Sequence, residues 1–576
     1  MPFDLSPDQQ RLVEWDTKAD GDLFAEACPG AGKTRAIVAR YLRLTEQEPR
    51  KGIAMLSFTN AAVDEVKARC GDRPEALCAP NYVGTFDSFI NRFITELPYV
   101  SEYGKTPHFV ETWEGKAAGV RASQMPGADF DLAWFAFDAQ LRATLMEAWI
   151  SRKSRNAVQP VIDARRPELE RKAGSVARGL VAKGLISCTG SRALAMRYLA
   201  DPDVSRRLKL LLANRFREII VDEAQDCGPE ELAILRFLRQ LGVSVVAVAD
   251  LDQSIYEFRR AEPASVQAFI GELSSRLLLS GNYRSSPAIC ALNNSLRAGS
   301  HVETASGSNK DCLFPVRLLE YSRLGTVASA VTDLLDLHMV ARQDTMFLAH
   351  ARKDARESAG GRREEEASGN GAIPRIVAAH TILTSNASSP AERSRAIRQV
   401  ESVLRTVAGY DDQTDSELDE RWLRNAAVRL AVTLKPGAVA REYADRVRRY
   451  VEDIQWPDGT GPRVSLGNTL KAPAQDKWSP VGQLERSPAF VWGTVHSVKG
   501  REFPGVVVVL PRKLLEDDHG HTVLDHWEQN KPSELRRVLY VGASRAQRLL
   551  ILAVHATQRD RVITLLKQDG VPYDPV

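Results

Sequence analysis

The sequence predicts an α/β fold made of two parallel-sheet units, each interrupted by a mostly helical insertion. Three observations carry that expectation. Short apolar runs suited to buried strands alternate with helical patterns. Several of these runs end in polar or charged residues, where open α/β sheets hold their ligands. Strand signals fade twice, over about 101–210 and about 351–481, and resume after each gap. At 576 residues the chain is too long for one core. With 44% apolar and 26% charged residues, it has globular rather than disordered composition.

Taken in order, Leu5-Ser6-Pro7-Asp8-Gln9 opens a helix, with Ser6 as its N-cap and Pro7 at the first helical position. Leu23 to Ala27 is the first strand and enters Cys28-Pro29-Gly30-Ala31-Gly32-Lys33-Thr34; Arg35 to Leu44 leaves it as a helix. Gly30 and Gly32 allow a tight turn whose N–H groups converge on phosphate oxygens. Lys33 then reaches outer phosphates, and the Thr34 hydroxyl suits Mg²⁺. Ala27 occupies the place of the first glycine in G-x-x-x-x-G-K-[ST], and a glycine turn before Lys-Thr also fits a plain helix N-terminus. Gly52 to Thr59 and Tyr82 to Phe86 are the next strands. Ala133 to Ile150 and Arg192 to Leu212 show helical periodicity, and basic residues outnumber acidic ones over 101–210. That surplus suits either a phosphate-facing surface or a solvated helix face.

The first sheet resumes with Phe216 to Asp222, ending in Asp222-Glu223, and with Val243 to Ala249, leading into Asp250-Leu251-Asp252-Gln253. A second unit is expected from about 264. Its strands are Leu277 to Leu279, Val316 to Leu319 and Thr345 to Leu348, then Ala489 to Val495, Gly505 to Leu510 and Leu549 to Val554. Its insertion starts with a charged, glycine-rich loop and continues with basic helical segments such as Ala440 to Tyr450.

A phosphate cradle followed by a strand ending in two acids has the parts of a nucleoside triphosphatase. Asp222 suits Mg²⁺, and Glu223 suits activation of the attacking water. The seven cysteines are scattered without C-x₂-C spacing, which argues against structural zinc and a disulfide framework. No apolar run reaches the ~18–20 residues of a membrane span, and Met-Pro-Phe-Asp-Leu-Ser lacks the features of a secretory signal. A cytoplasmic protein with no membrane partner is expected. The formal charge of +3 is too small to imply nucleic acid by itself.

In this order the motifs resemble those of superfamily 1 DNA helicases of the UvrD/Rep type, over nearly the whole chain. Gln9 matches the Q motif, residues 27–34 motif I, and Phe58-Thr59-Asn60 motif Ia. Thr85-Phe86-Asp87-Ser88-Phe89 resembles motif Ib, Asp222-Glu223-Ala224-Gln225-Asp226 motif II, and Gln253-Ser254-Ile255-Tyr256 with Phe258-Arg259 motif III. Asn282-Tyr283-Arg284-Ser285 resembles motif IV, Thr494 to Phe503 motif V, and Tyr540-Val541-Gly542-Ala543-Ser544-Arg545-Ala546 motif VI.

The resemblance implies two RecA-like P-loop NTPase domains in a 1A/1B/2A/2B arrangement. Residues 1–100 and 211–263 would form 1A, 101–210 insertion 1B, 264–350 and 482–576 domain 2A, and 351–481 insertion 2B. It implies ATP and Mg²⁺ as cofactors, with Thr34 and Asp222 at the metal. Gln9, Pro29, Gly30, Ala31, Gly32, Lys33, Thr34 and Arg35 would hold the nucleotide, with Tyr283 stacked on adenine and Glu502 on the ribose. Lys33, Asp222, Glu223, the γ-phosphate sensor Gln253, and the arginine fingers Arg284 and Arg545 would be catalytic. Phe58, Phe86, Tyr256 and Phe258 would stack on DNA bases, and Asn60, Thr85, Arg259, His496 and Lys499 would touch the DNA backbone or help couple it to ATP, although core packing is the competing reading for Phe86 and Phe258.

Asp87 stands where relatives usually have His, Ala249 replaces a frequent Gly, Phe258 a Trp and Arg501 a Leu; none removes a catalytic group. The function implied is 3′→5′ translocation on single-stranded DNA and unwinding of tailed duplexes in repair or recombination. The alternative is a DNA-sensing ATPase subunit of an anti-phage defence complex with a separate nuclease, since no nuclease motif follows residue 555. An RNA-directed enzyme is a third reading.

Overall fold

A computed structural model describes residues 5–47, 50–71, 73–113, 120–121, 129–150, 152–255, 263–299, 301–361, 371–384, 390–409, 420–457, 459–475, 478 and 489–576. Two compact units are present: Met1–Glu102, Ala195–Gly361 and Ser487–Val576 in one, Tyr103–Leu194 and Arg362–Arg486 in the other.

The first unit holds two six-stranded parallel sheets, whose strands we number β1 to β12 along the chain. The first sheet contains β1 (Leu23–Ala27), β2 (Gly52–Ser57), β3 (Tyr82–Thr85), β4 (Phe216–Asp222), β5 (Ser244–Ala249) and β6 (Ser275–Leu279), in the order β6-β1-β5-β4-β2-β3. The second contains β7 (Val316–Tyr321), β8 (Thr345–Ala349), β9 (Val491–Thr494), β10 (Phe503–Leu510), β11 (Ala546–His555) and β12 (Tyr573–Pro575), in the order β9-β8-β10-β11-β7-β12.

Both sheets are apolar on both faces, which is why their strands appear as continuous apolar runs rather than alternations. Phe24, Leu56, Ile219, Val221 and Val245 pack on one side of the first sheet; Leu23, Met55, Ile220 and Val246 pack on the other. The second sheet divides likewise, with Leu348, Val506 and Leu552 opposite Phe347, Val507 and Ile551.

One strand is assigned differently from the sequence expectation. Leu277 to Leu279 belongs to the first sheet, because β6 runs beside β1 with Leu23 opposite Ser275 and Ala27 opposite Leu279. The chain therefore completes the first sheet after residue 263 rather than starting the second.

The helix after the phosphate loop, Lys33–Gln47, is tied to the sheet by a buried charge pair. Arg40 donates through Nε and Nη2 to the two oxygens of Glu218, at 2.8 and 2.7 Å, and Thr17 donates to the same carboxylate at 2.9 Å. Nη1 satisfies the carbonyls of Leu12 and Trp15. A fully buried fork of this kind is costly to break because the surviving charge is left without solvent. Glu218→Ala should therefore lower stability by about 3–5 kcal/mol; a denaturant midpoint equal to wild type would show that the pair is dispensable.

The second unit is mainly helical. Helices Ala372–Thr384, Pro390–Val407, Glu420–Thr433 and Ala440–Asp453 contribute to one apolar core. The long helix Arg152–Lys183 breaks its geometry at Arg165, two residues before Pro167, whose ring and missing N–H oppose a continuous helix. Ala133 to Ile150 is not the expected helix. Phe135–Phe137 and Ala143–Leu145 form an antiparallel hairpin, with Phe135, Phe137, Ala143 and Leu145 buried. The alternation is period two, and Asp138 closes the turn by accepting the N–H groups of Gln140 and Arg142 at 2.9 Å. Helix Pro202–Arg215, inside the expected first insertion up to residue 210, groups with the sheets instead.

Candidate functional site

The carboxyl ends of β1, β4 and β5 deliver the phosphate loop, the acid pair and Gln253 to one edge of the first sheet. Gly30 and Gly32 have φ of +68° and +72°, in the left-handed region that glycine enters freely. Gly30 is also roofed: a Cβ there would lie 2.5 Å from Cβ of Arg284 and 2.6 Å from Oδ1 of Asn282. Tyr283 N–H donates to the Gly30 carbonyl at 2.9 Å. Asn282 shapes that roof, accepting the N–H groups of Arg284 and Ser285 at 2.8 and 2.9 Å while donating to the buried Glu303 at 3.0 Å. Burial pushes the Glu303 carboxyl up to about 7. Motif IV therefore lies directly on the phosphate loop.

Gln9 lies beside Gly32, and its Nε2 donates to the Ala31 carbonyl at 2.7 Å. Its Oε1 accepts Ser6 N–H at 3.0 Å in a capping box. In this geometry Gln9 braces the loop, and the amide expected to read adenine already holds two partners. Pro29 and Ala31 are buried; Thr34 and Arg35, on the first turn of the following helix, are half-buried. Tyr283 keeps 39% of its surface exposed, as a stacking ring requires.

Asp222 and Glu223 end β4, with Glu223 in a left-handed conformation at φ +57°, a strain typical of functional turns. Lys33 Nζ stands 3.6 Å from Glu223 Oε1. Burial, followed by the adjacent Glu223 charge, raises the Asp222 carboxyl above its usual range. Burial also opposes the Glu223 charge, but Lys33, Lys499, the Gln225 amide and Arg545 overcome it and hold that carboxyl below its usual range. Among the described residues, no group of three or more His, Cys, Asp or Glu could hold a metal by itself. The Thr34 hydroxyl and Asp222 carboxylate nevertheless fit Mg²⁺, a hard cation that takes one or two protein oxygens and completes its shell with phosphates and water.

Side chains beside the strands of the second sheet, and Arg284 after β6, reach this edge. Arg545 is 1% exposed and donates through Nη2 to Gln253 Oε1 and Ser544 Oγ, both at 2.9 Å, and through Nε to the Val541 carbonyl at 3.0 Å. Burial, with the nearby Arg284 charge, lowers its pKa to about 10. Arg284 donates through Nε to Glu502 at 2.5 Å and through Nη1 to the Ser544 carbonyl at 2.9 Å. Glu502, expected on a ribose, is engaged by Arg284 and by Gln547 at 3.1 Å. Lys499, expected to touch the DNA backbone or to couple it to ATP, places its ammonium 2.6 Å from the buried Asp226 carboxylate at the end of motif II. The reason is electrostatic: a buried carboxylate demands a cation.

On the candidate nucleic-acid face, Asn60 is exposed at the start of helix Asn60–Arg69, and Phe58 is half-buried. Phe86 is 1% exposed within the aromatic core containing Phe89 and Phe216, so core packing wins for this ring. The Phe58 ring leans on it at 5.8 Å. Thr85 caps the helix Phe86–Ile90, its hydroxyl accepting Ser88 N–H at 3.1 Å. His496 is half-buried with its ring 5.5 Å from that of His350; burial first, then His350 and Lys499, lowers its pKa to about 4. Tyr256, Phe258 and Arg259 lie outside the described residues.

Four contributors were not singled out from sequence: Asp226, Asp250, Arg297 and Tyr540. Asp226 and Tyr540 lay inside quoted motifs, and Asp250 stood three residues before Gln253. Arg297 carried no signal except a lone cation closing the apolar helix Pro287–Leu296.

Residues 5–273 match the family model described as the UvrD/REP helicase N-terminal domain. The chain is similar to the YjcD protein of Bacillus subtilis (strain 168), 23% identical over 347 residues, 57% of this chain and 43% of that protein. It is 26% identical over 292 residues to DNA helicase II of Escherichia coli (strain K12), covering 48% of this chain and 38% of that protein. A shorter stretch of 92 residues is 33% identical to RecBCD enzyme subunit RecB of Borreliella burgdorferi, covering 16% and 8%. The chain spans less than half the length of these relatives. The matched stretch, on a parallel sheet whose phosphate loop and acid pair share one edge, makes residues 5–273 a domain of the UvrD/REP helicase N-terminal type.

Proposed function

We propose that the chain is an ATP-dependent motor on single-stranded DNA that moves 3′→5′ and unwinds tailed duplexes, with a 1A/1B/2A/2B arrangement. The observation that carries this reading is the 2.9 Å bond from Arg545 to Gln253, which joins a cation of the second sheet to the edge bearing the phosphate loop. In the proposal, Lys33 and the loop amides hold the outer phosphates, and Glu223 orients the attacking water. Arg284 and Arg545 take up charge as the phosphoryl group departs. Bound Mg²⁺, held by Thr34 and Asp222, would offset phosphate charge. Lys33 now neutralises Glu223; a phosphate competing for Lys33 would leave that carboxylate more available to water. Arg284 would exchange Glu502 for phosphate, and Lys499 serves to link motifs V and II.

The test is strand displacement on duplexes with a 3′ or a 5′ single-stranded tail, beside RNA versions of each. Displacement of the 3′-tailed DNA alone is expected; ATP-dependent displacement only from a 5′ tail or only on RNA would reject the reading. Phe58→Ala should weaken single-strand affinity by ~1–3 kcal/mol through lost stacking. Phe86→Ala should instead cost about 3–5 kcal/mol of stability as a core truncation. Fluorescence anisotropy and thermal unfolding, measured on both variants, separate the two effects. The stretch similar to a subunit of the RecBCD enzyme favours a second reading, an ATPase that works as one subunit of a larger assembly; the companion subunit proposed is a separate nuclease. Co-purification of a nuclease from the native host, with no strand displacement by the isolated chain, would select it.

A further inference from the structure

Arg297 is a guanidinium with no exposed side-chain surface, placed among three carboxylates and a tyrosine ring. Nη2 donates to Asp250 Oδ1 at 2.7 Å and Nε to Asp252 Oδ2 at 3.0 Å. Nη1 faces Glu303 at 4.0 Å, and the guanidinium carbon lies 5.3 Å from the centre of the Tyr540 ring. Burial pulls its pKa down, but Asp250, Tyr540, Asp252 and Glu303 outweigh that and raise it well above the usual value. The cation belongs to the chain after the first sheet closes, while Asp250 and Asp252 extend from the end of β5.

The other oxygen of Asp250 accepts twice: Gln253 Nε2 at 2.8 Å and Tyr540 O–H at 2.9 Å. That fixes the Gln253 amide, because Nε2 must face the carboxylate and Oε1 must then face Arg545, which donates to it at 2.9 Å. Tyr540 lies in the helix Glu534–Ala543, and Arg545 follows that helix directly. The bonds thus form a closed circuit across the two sheets: Arg297 to Asp250, Asp250 to Gln253, Gln253 to Arg545, and back through the helix to Tyr540 and Asp250.

We propose that Arg297 is a positioning residue for ATP turnover, holding Asp250 so that the Gln253 amide and the Arg545 guanidinium stay aligned at the phosphate site. The proposal rests on the roles given above to Gln253 and Arg545. The physical requirement is a fork. Nε and Nη2 bind two different carboxylates at once, and an ammonium on a flexible stem does not reproduce that pairing. Asp250 takes the shortest of the Arg297 bonds and is also the carboxylate that holds Gln253, so the proposed effect passes through Asp250; the competing route, through Glu303 and Asn282 to the roof over Gly30, would leave the loss unchanged when Gln253 is removed.

Arg297→Lys keeps the charge and removes the fork, and a mutant cycle with Gln253→Ala reads the path. ATP turnover at saturating single-stranded DNA and the Kd of a fluorescent ATP analogue would be measured for wild type, both single variants and the double variant. Arg297→Lys should lower turnover by about tenfold with Kd changed less than about twofold, and should cost less than about twofold in the Gln253→Ala background. Equal losses in both backgrounds, or no loss in either, would overturn the positioning role while leaving the site reading intact. Near-normal turnover of Gln253→Ala alone would remove the site reading, and the proposal with it. Tyr540→Phe, which deletes one hydroxyl bond to Asp250, gives the same cycle if Arg297→Lys fails to fold. A non-additive loss with Gln253→Ala supports the circuit, and an additive one refutes it.

Discussion

Arg545→Ala should cut ATP turnover at saturating single-stranded DNA by at least ~10², while nucleotide affinity changes by no more than ~3-fold. The side chain is buried and fully directed, with bonds to Gln253, Ser544 and Val541. Such a preorganised cation acts on charge that develops in the transition state more than on the bound substrate. Arg545→Lys should not restore the rate, because a point charge on a flexible stem does not reproduce the planar fork that serves Gln253 and Ser544 on one side and the Val541 carbonyl on another. Thermal unfolding of the same variants shows whether the loss follows from a damaged core. Turnover within about threefold of wild type would remove the motor model.

Glu223→Gln is expected to bind ATP and to lose turnover by roughly 10²–10⁴, the range lost with a general base. The amide keeps the shape of the side chain at the end of β4 but carries no charge for Lys33, which stands 3.6 Å from the carboxylate. Freed from that pairing, Lys33 should hold phosphates at least as well as before. Lys33→Ala should fail differently, losing the charge that bridges the outer phosphates and much of the nucleotide affinity. Single-turnover measurement beside equilibrium nucleotide binding distinguishes the two. A Glu223→Gln variant with wild-type turnover would exclude that carboxylate from the chemistry.

Much of the site was legible in sequence because its parts are local. A glycine turn of positive φ, a lysine on the first helical turn and two acids closing an apolar strand each depend on a few consecutive residues. Their common edge follows from parallel topology, since every crossover returns its strand in the same direction. The roles of Gln9, Glu502 and Lys499 were not legible in the same way. Each is a polar side chain whose partner lies far along the chain: Gln9 on Ala31, Glu502 on Arg284, Lys499 on Asp226. Burial, which sequence spacing does not report, decides whether such a group meets solvent, DNA or another charge.

The same division explains the elements. The sequence by itself determined the apolar strands of the two parallel sheets, the Ser6 N-cap and the helical character of the second insertion, because propensity and short-range bonds suffice for them. Only the tertiary structure decided that β6 joins the first sheet, since a short apolar strand carries no address for its neighbour. It also decided that Phe135 to Leu145 forms a hairpin, where alternation over three residues a side is too brief to outweigh a helical reading. Above all it decided the fate of Arg297. A lone arginine in sequence is a surface cation by default, and it becomes the link between two sheets only when Asp250, Asp252 and Tyr540 are folded around it. Desolvation then makes every one of those bonds obligatory.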